Sequence, residues 1–82
     1  MSALERAALR GKLAEAQERA RRLSMRIEGG CTAIRTGLNT ALTAVEDLEI
    51  PQLAEQMNEL VDSWGELQAT RLEIARLERE LH

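Results

Sequence analysis

Leu53, Leu60, Leu67, Ile74 and Leu81 recur every seven residues through the last thirty positions of the chain. A sustained seven-residue repeat of large aliphatic side chains requires a helix that buries one stripe lengthwise against another helix. With this series at the d positions, a positions fall on Ile50, Met57, Trp64, Arg71 and Glu78, and Ala54, Val61 and Ala75 widen the stripe at e. A stripe of a, d and e suits a bundle of three or four helices better than a bare two-stranded coil. The seam turns polar only at Arg71 and Glu78.

The repeat has one firm boundary. Pro51 cannot continue a helix but suits the first position of a new one, so Glu49-Ile50 reads as a turn and a helix is expected over about 51–81. Upstream, Ser2-x-x-Glu5 has the form of a capping box, in which the Ser hydroxyl accepts an orphan N–H and Glu5 reaches back. Ala, Leu, Arg, Glu and Gln then dominate, all strong helix formers. Leu9, Leu13, Ala16, Ala20, Leu23 and Ile27 form a narrow seam, continued by Cys31, Ile34, Leu38, Ala41, Val45 and Leu48. The steps 27→31→34→38 imply a register shift at Gly29-Gly30, as an inserted stutter produces. Each Gly costs about 1 kcal/mol relative to Ala inside a helix, so the pair marks a weak point.

Two architectures follow, both all-α. One is an antiparallel hairpin with a long helix over about 3–48, a turn at 49–50 and a helix over about 51–81. The other breaks at Gly29-Gly30 into three helices. The hairpin is preferred, because a Gly pair without Pro, Asn or Asp is a weak stop. Folding at residues 49–50 brings position i against position 99−i. Residues 1–16 then overhang by about 24 Å at 1.5 Å per residue, leaving Leu9 and Leu13 uncovered by their own chain. The overhang points to a second copy, a dimer before any higher oligomer, as does the small core of any two-helix hairpin.

Composition narrows the chemistry. Eighty-two residues with one Cys, one His, one Trp and no Phe or Tyr form one small domain without an aromatic-rich core. They leave no zinc finger, disulfide framework or His/Cys metal cluster to be built from this chain alone. No Gly-rich phosphate loop or catalytic dyad appears, so no cofactor and no enzymatic activity are expected. No apolar run is long enough for a transmembrane helix. A lone thiol and a start charged from Glu5-Arg6 onward point to a reducing cytoplasm. Arg outnumbers Lys ten to one, a bias that accompanies GC-rich bacterial genomes.

Charge is distributed unevenly. Residues 1–35 carry eight basic and four acidic groups, residues 36–66 carry seven acidic and no basic ones, and residues 67–82 balance at three each. Arg19, Arg21, Arg22 and Arg26 form a basic stretch that would suit phosphate contacts. The 99−i register instead places Arg26 by Glu73, Arg21 by Glu78 and Arg19 by Glu80. Internal pairing is the preferred reading, and nucleic acid the runner-up, weakened by the absence of aromatics to stack on bases. Glu55, Glu59, Asp62 and Glu66 make an acidic ridge, read as a solvated face before a docking face for a basic partner. Cys31 reads as a small apolar residue on the stripe rather than a redox group. Thr32, Thr36, Thr40, Thr43 and Asn39 bond to their own backbone in preference to lining a ligand site.

The sequence thus describes a non-enzymatic interaction module that self-associates through a Leu/Ile seam. Leu13, Leu23, Ile27, Ile34, Leu38, Leu48, Leu53, Met57, Leu60, Trp64, Leu67 and Ile74 would carry it, at about 1.5–3 kcal/mol for each large side chain buried. The alternatives are a nucleic-acid-associated regulator and an adaptor or chaperone for another helical protein.

Overall fold

A computed structural model describes residues 1–82 as two long antiparallel helices, α1 (Ala3–Gly37) and α2 (Ile50–Leu81), joined by a loop with one 3₁₀ turn at Val45–Asp47. The hairpin is a rod of 64 × 16 × 14 Å without strands. Helix α1 starts as its sequence dictates. The Glu5 amide donates to Ser2 Oγ at 3.1 Å, and the Ser2 hydroxyl donates to Glu5 Oε1 at 3.1 Å. It runs unbroken through Gly29-Gly30, which removes the three-helix alternative.

Helix α1 ends at Gly37, eleven residues short of the expected boundary at 48. The cause lies in the polar, β-branched stretch that follows. The Ala41 amide donates to Asn39 Oδ1 at 2.9 Å, and the Leu42 and Thr43 amides both donate to the Asn39 carbonyl at 3.2 Å. These local bonds give the backbone an alternative to the helix, as Asn and Thr favour. Leu48 therefore sits half-buried in the loop, not on a helical seam.

The longer loop resets the register. Gly30 lies against Leu60 and Gly37 against Leu53, so position i meets position 90−i rather than 99−i. The overhang shrinks accordingly. Residue 82 now faces residue 8, an overhang of about 10 Å, and Arg6 Nη2 reaches back to donate to the Leu81 carbonyl at 3.0 Å. This contact also places a cation at the negative end of α2. The expectation that residues 1–16 project uncovered is overturned, and Leu9 and Leu13 are half-buried.

The seam itself is regular. Helix α1 turns inward Leu9, Leu13, Ala16, Ala20, Leu23, Ile27, Gly30, Ile34 and Gly37, an unshifted heptad with no stutter. Helix α2 turns inward Leu53, Gln56, Leu60, Ser63, Leu67, Thr70, Ile74, Leu77 and Leu81. The 90−i register pairs large with small at four levels: Leu53 over Gly37, Leu60 over Gly30, Ile74 over Ala16, Ser63 over Ile27. Such alternation lets the helices approach closely and interdigitate. A methyl added at Gly37 would lie 2.5 Å from Leu53 Cδ2, and one at Gly30 3.3 Å from Leu60 Cδ1, so both glycines are holes filled by leucines. Only Ala16, Leu23, Ser63, Thr70 and Leu77 are buried, Ala16 and Leu77 completely. Thr70 tolerates burial because its hydroxyl donates to the Glu66 carbonyl at 2.8 Å.

Candidate interaction surface

The two edges of the seam differ in chemistry. On one edge the register brings Lys12 level with Glu80, Arg19 with Glu73 and Arg26 with Glu66. Arg19 Nη1 donates to Glu73 Oε2 at 3.0 Å, the one ion pair between the helices. Lys12 and Glu80 border one shallow depression, and Arg26 and Glu59 line another with Gln56 and Ser63. The expected pairs of Arg26 with Glu73, Arg21 with Glu78 and Arg19 with Glu80 do not form, because they assumed the 99−i register. Arg21 pairs with Glu18 at 2.6 Å, Arg22 approaches Glu18 at 3.8 Å, and Glu80 pairs with Arg76 at 3.0 Å, all within one helix. The hydrogen bond from Arg21 holds the Glu18 carboxyl below its ordinary pKa against an opposing desolvation, and the charges of Arg21 and Arg22 add to the lowering. The same bond raises Arg21.

On the opposite edge Ile27, Cys31, Met57, Leu60, Val61 and Trp64 line a shallow cleft made wholly of hydrophobic side chains. Leu38 and Ile50 extend it toward the loop, both exposed. Trp64 is 57% exposed and Met57 49% exposed, so neither belongs to the core of the hairpin. Their expected place at the a positions of the internal seam is corrected. Gln56, Ser63, Thr70 and Leu77 occupy that place, three residues after Leu53, Leu60, Leu67 and Ile74 rather than four. Cys31 and Leu38 likewise leave the seam for this edge, where their spacing had suggested a stutter. Beyond Trp64 the edge becomes polar, with Gln17, Arg71, Arg10 and Glu78.

Of the remaining expected residues, Leu9, Leu13, Leu23, Ile27, Ile34, Leu53, Leu60, Leu67, Ile74 and Leu81 all face the seam. Glu55, Glu59, Asp62 and Glu66 are exposed and take part in no ion pair within the hairpin. Ser63, Thr70 and Leu77 were missed as core, as was Gly30 as a site of close approach. A step of three from Ile74 of the repeat would have found Leu77. Gly30 carries no hydrophobic signal to follow.

Nowhere do three His, Cys, Asp or Glu side chains converge to hold a metal ion, and no helix is long and apolar enough to cross a membrane. Comparison with protein-family models, curated proteins and solved structures found no match.

Proposed function

We propose that this chain is a non-enzymatic assembly module, a helical hairpin that self-associates by covering its apolar edge with another copy to complete a helical bundle. The observation that carries this reading is the all-hydrophobic cleft of Ile27, Cys31, Met57, Leu60, Val61 and Trp64 on a hairpin with only five buried residues. A core that small gives little net stability to a chain of this length. A contiguous exposed apolar patch is the usual mark of a protein-binding surface. Covering it removes apolar area from water at about 25 cal/mol per Å². The basic stretch supports a nucleic-acid role less well, since Arg19, Arg21 and Arg22 already face carboxylates within the chain.

Molar mass by light scattering after size exclusion, in reductant and over a range of concentrations, tests this. The expected mass is a multiple of 9.2 kDa. Val61→Glu is expected to shift it toward the monomer while far-UV circular dichroism stays helical. A wild-type mass of 9.2 kDa at every concentration, with native helicity, would overturn the reading.

A further inference from the structure

The apolar edge has a centre, and the charges beside it have the same one. In the hairpin Cys31 lies level with Met57, with Trp64 about two turns to one side and Ile50 two turns to the other. Glu28 and Arg35 stand one heptad apart on the outer flank of this edge of α1, and the midpoint between them falls at Cys31–Thr32. Neither takes part in an ion pair within the hairpin. Opposite charges placed symmetrically about the centre of an uncovered apolar surface are what a two-fold interface uses, because each copy then offers the other the same pair reversed.

We infer that the occupant of the apolar edge is a second copy of this chain, antiparallel to the first, on a two-fold axis passing at Cys31 and Met57. This rests on the self-association proposed above and specifies its geometry. Helix α1 then lies over α1 of the partner and α2 over α2, every neighbour antiparallel, as in an up-down four-helix bundle. Glu28 of each copy meets Arg35 of the other. Trp64 covers Ile50 of the other, Val61 covers Ala54, and Met57 meets its own counterpart at the axis. The same rotation carries Glu46, Asp47 and Glu49 of each loop toward Arg71 of the other copy, a cation on this edge with no ion-pair partner of its own. A parallel arrangement would instead bring the two acidic loops to the same end, with no basic residue between Arg35 and Arg71 to offset them. It would also separate Glu28 from Arg35 by laying α1 against α2 of the partner.

Charge reversal tests the geometry on the full chain. Glu28→Arg and Arg35→Glu each set like charges against one another at both symmetry-related sites. Each alone is expected to weaken self-association about tenfold. An equimolar mixture of the two variants is expected to assemble as a heterodimer at close to wild-type affinity, because every contact is again of opposite sign. The double variant Glu28→Arg/Arg35→Glu is expected to recover likewise. A short bis-maleimide is expected to join Cys31 to Cys31 in the wild-type dimer. Wild-type dimers with inert charge reversals, no preference in the mixture, or no Cys31 cross-link would overturn the antiparallel geometry while leaving self-association intact. A wild-type chain that stays monomeric throughout would overturn both.

Discussion

Along one edge of the seam Lys12, Arg19 and Arg26 run beside Glu66, Glu73 and Glu80; along the other, Cys31 and Leu38 run beside Ile50, Met57 and Trp64. Both edges follow the same heptad, yet they act on different quantities. The charged edge favours the direction and register that the loop and the seam set. A parallel or slipped pairing would break the match of basic α1 with acidic α2, but exposed ion pairs add only about 0.2–1 kcal/mol each. The apolar edge contributes little to the isolated hairpin, because most of its area stays in water. Its contribution comes when something covers it. The charged edge extends toward the free ends, where Arg6 also ties α1 to the end of α2, and the apolar edge occupies the loop half. Under the proposed self-association, folding and assembly draw on different sides of one seam.

The largest effect is expected from weakening the seam that both edges flank. Leu77 is the one large side chain with no exposure, and Leu77→Ala is expected to destabilise the hairpin by about 2–4 kcal/mol, read from urea unfolding at fixed protein concentration. A smaller effect separates two adjacent glycines. Gly30→Leu must displace Leu60 and is expected to cost about 1–3 kcal/mol. Gly29→Ala meets nothing within 4 Å and is expected to stabilise by about 0.5–1 kcal/mol through helix propensity alone. Equal melting shifts for the two would contradict the seam as drawn.

The smallest effects belong to the charged edge. Arg19 and Glu73 are 42% and 37% exposed, so Arg19→Gln is expected to cost less than about 1 kcal/mol, and the loss should shrink as salt is added. Glu18 sharpens the point through pH. Its folded-state pKa is lowered, so its support for α1 is present above the ordinary glutamate range and is lost as the pH falls through the depressed value. A Glu18→Gln variant should remove that component of the acid titration without altering the molar mass in solution.

Much of this fold is legible in the sequence. Ser2-x-x-Glu5, Pro51 and the Leu53–Leu81 heptad place two helices and one turn region, and the leucines of the repeat all face inward. What misleads is that hydrophobicity marks every surface an assembly would cover, not only the surface that folds the chain. Met57 and Trp64 are more apolar than Gln56 and Ser63, so a sequence pattern ranks them as core, although the hairpin turns the polar pair inward. The apparent stutter at Ile27–Cys31–Ile34–Leu38 has the same origin. Two stripes, one through Gly30 and Gly37 and one through Cys31 and Leu38, overlap on α1, and the glycines of the first are silent. The end of α1 was missed for another reason. Apolar spacing through Ala41, Val45 and Leu48 outweighed the Asn39 turn chemistry, and the lost eleven residues moved every cross-helix pair.

Trp64 offers the most direct test, because it is the only aromatic residue and stands in the middle of the question. Its emission and acrylamide quenching can be followed as the protein is diluted through the range where its mass changes. If copies cover the apolar edge, Trp64 is blue-shifted and protected in the assembled state and becomes red-shifted and quenchable on dilution, with helicity retained. A Trp64 that is red-shifted and freely quenched at every concentration would contradict the account.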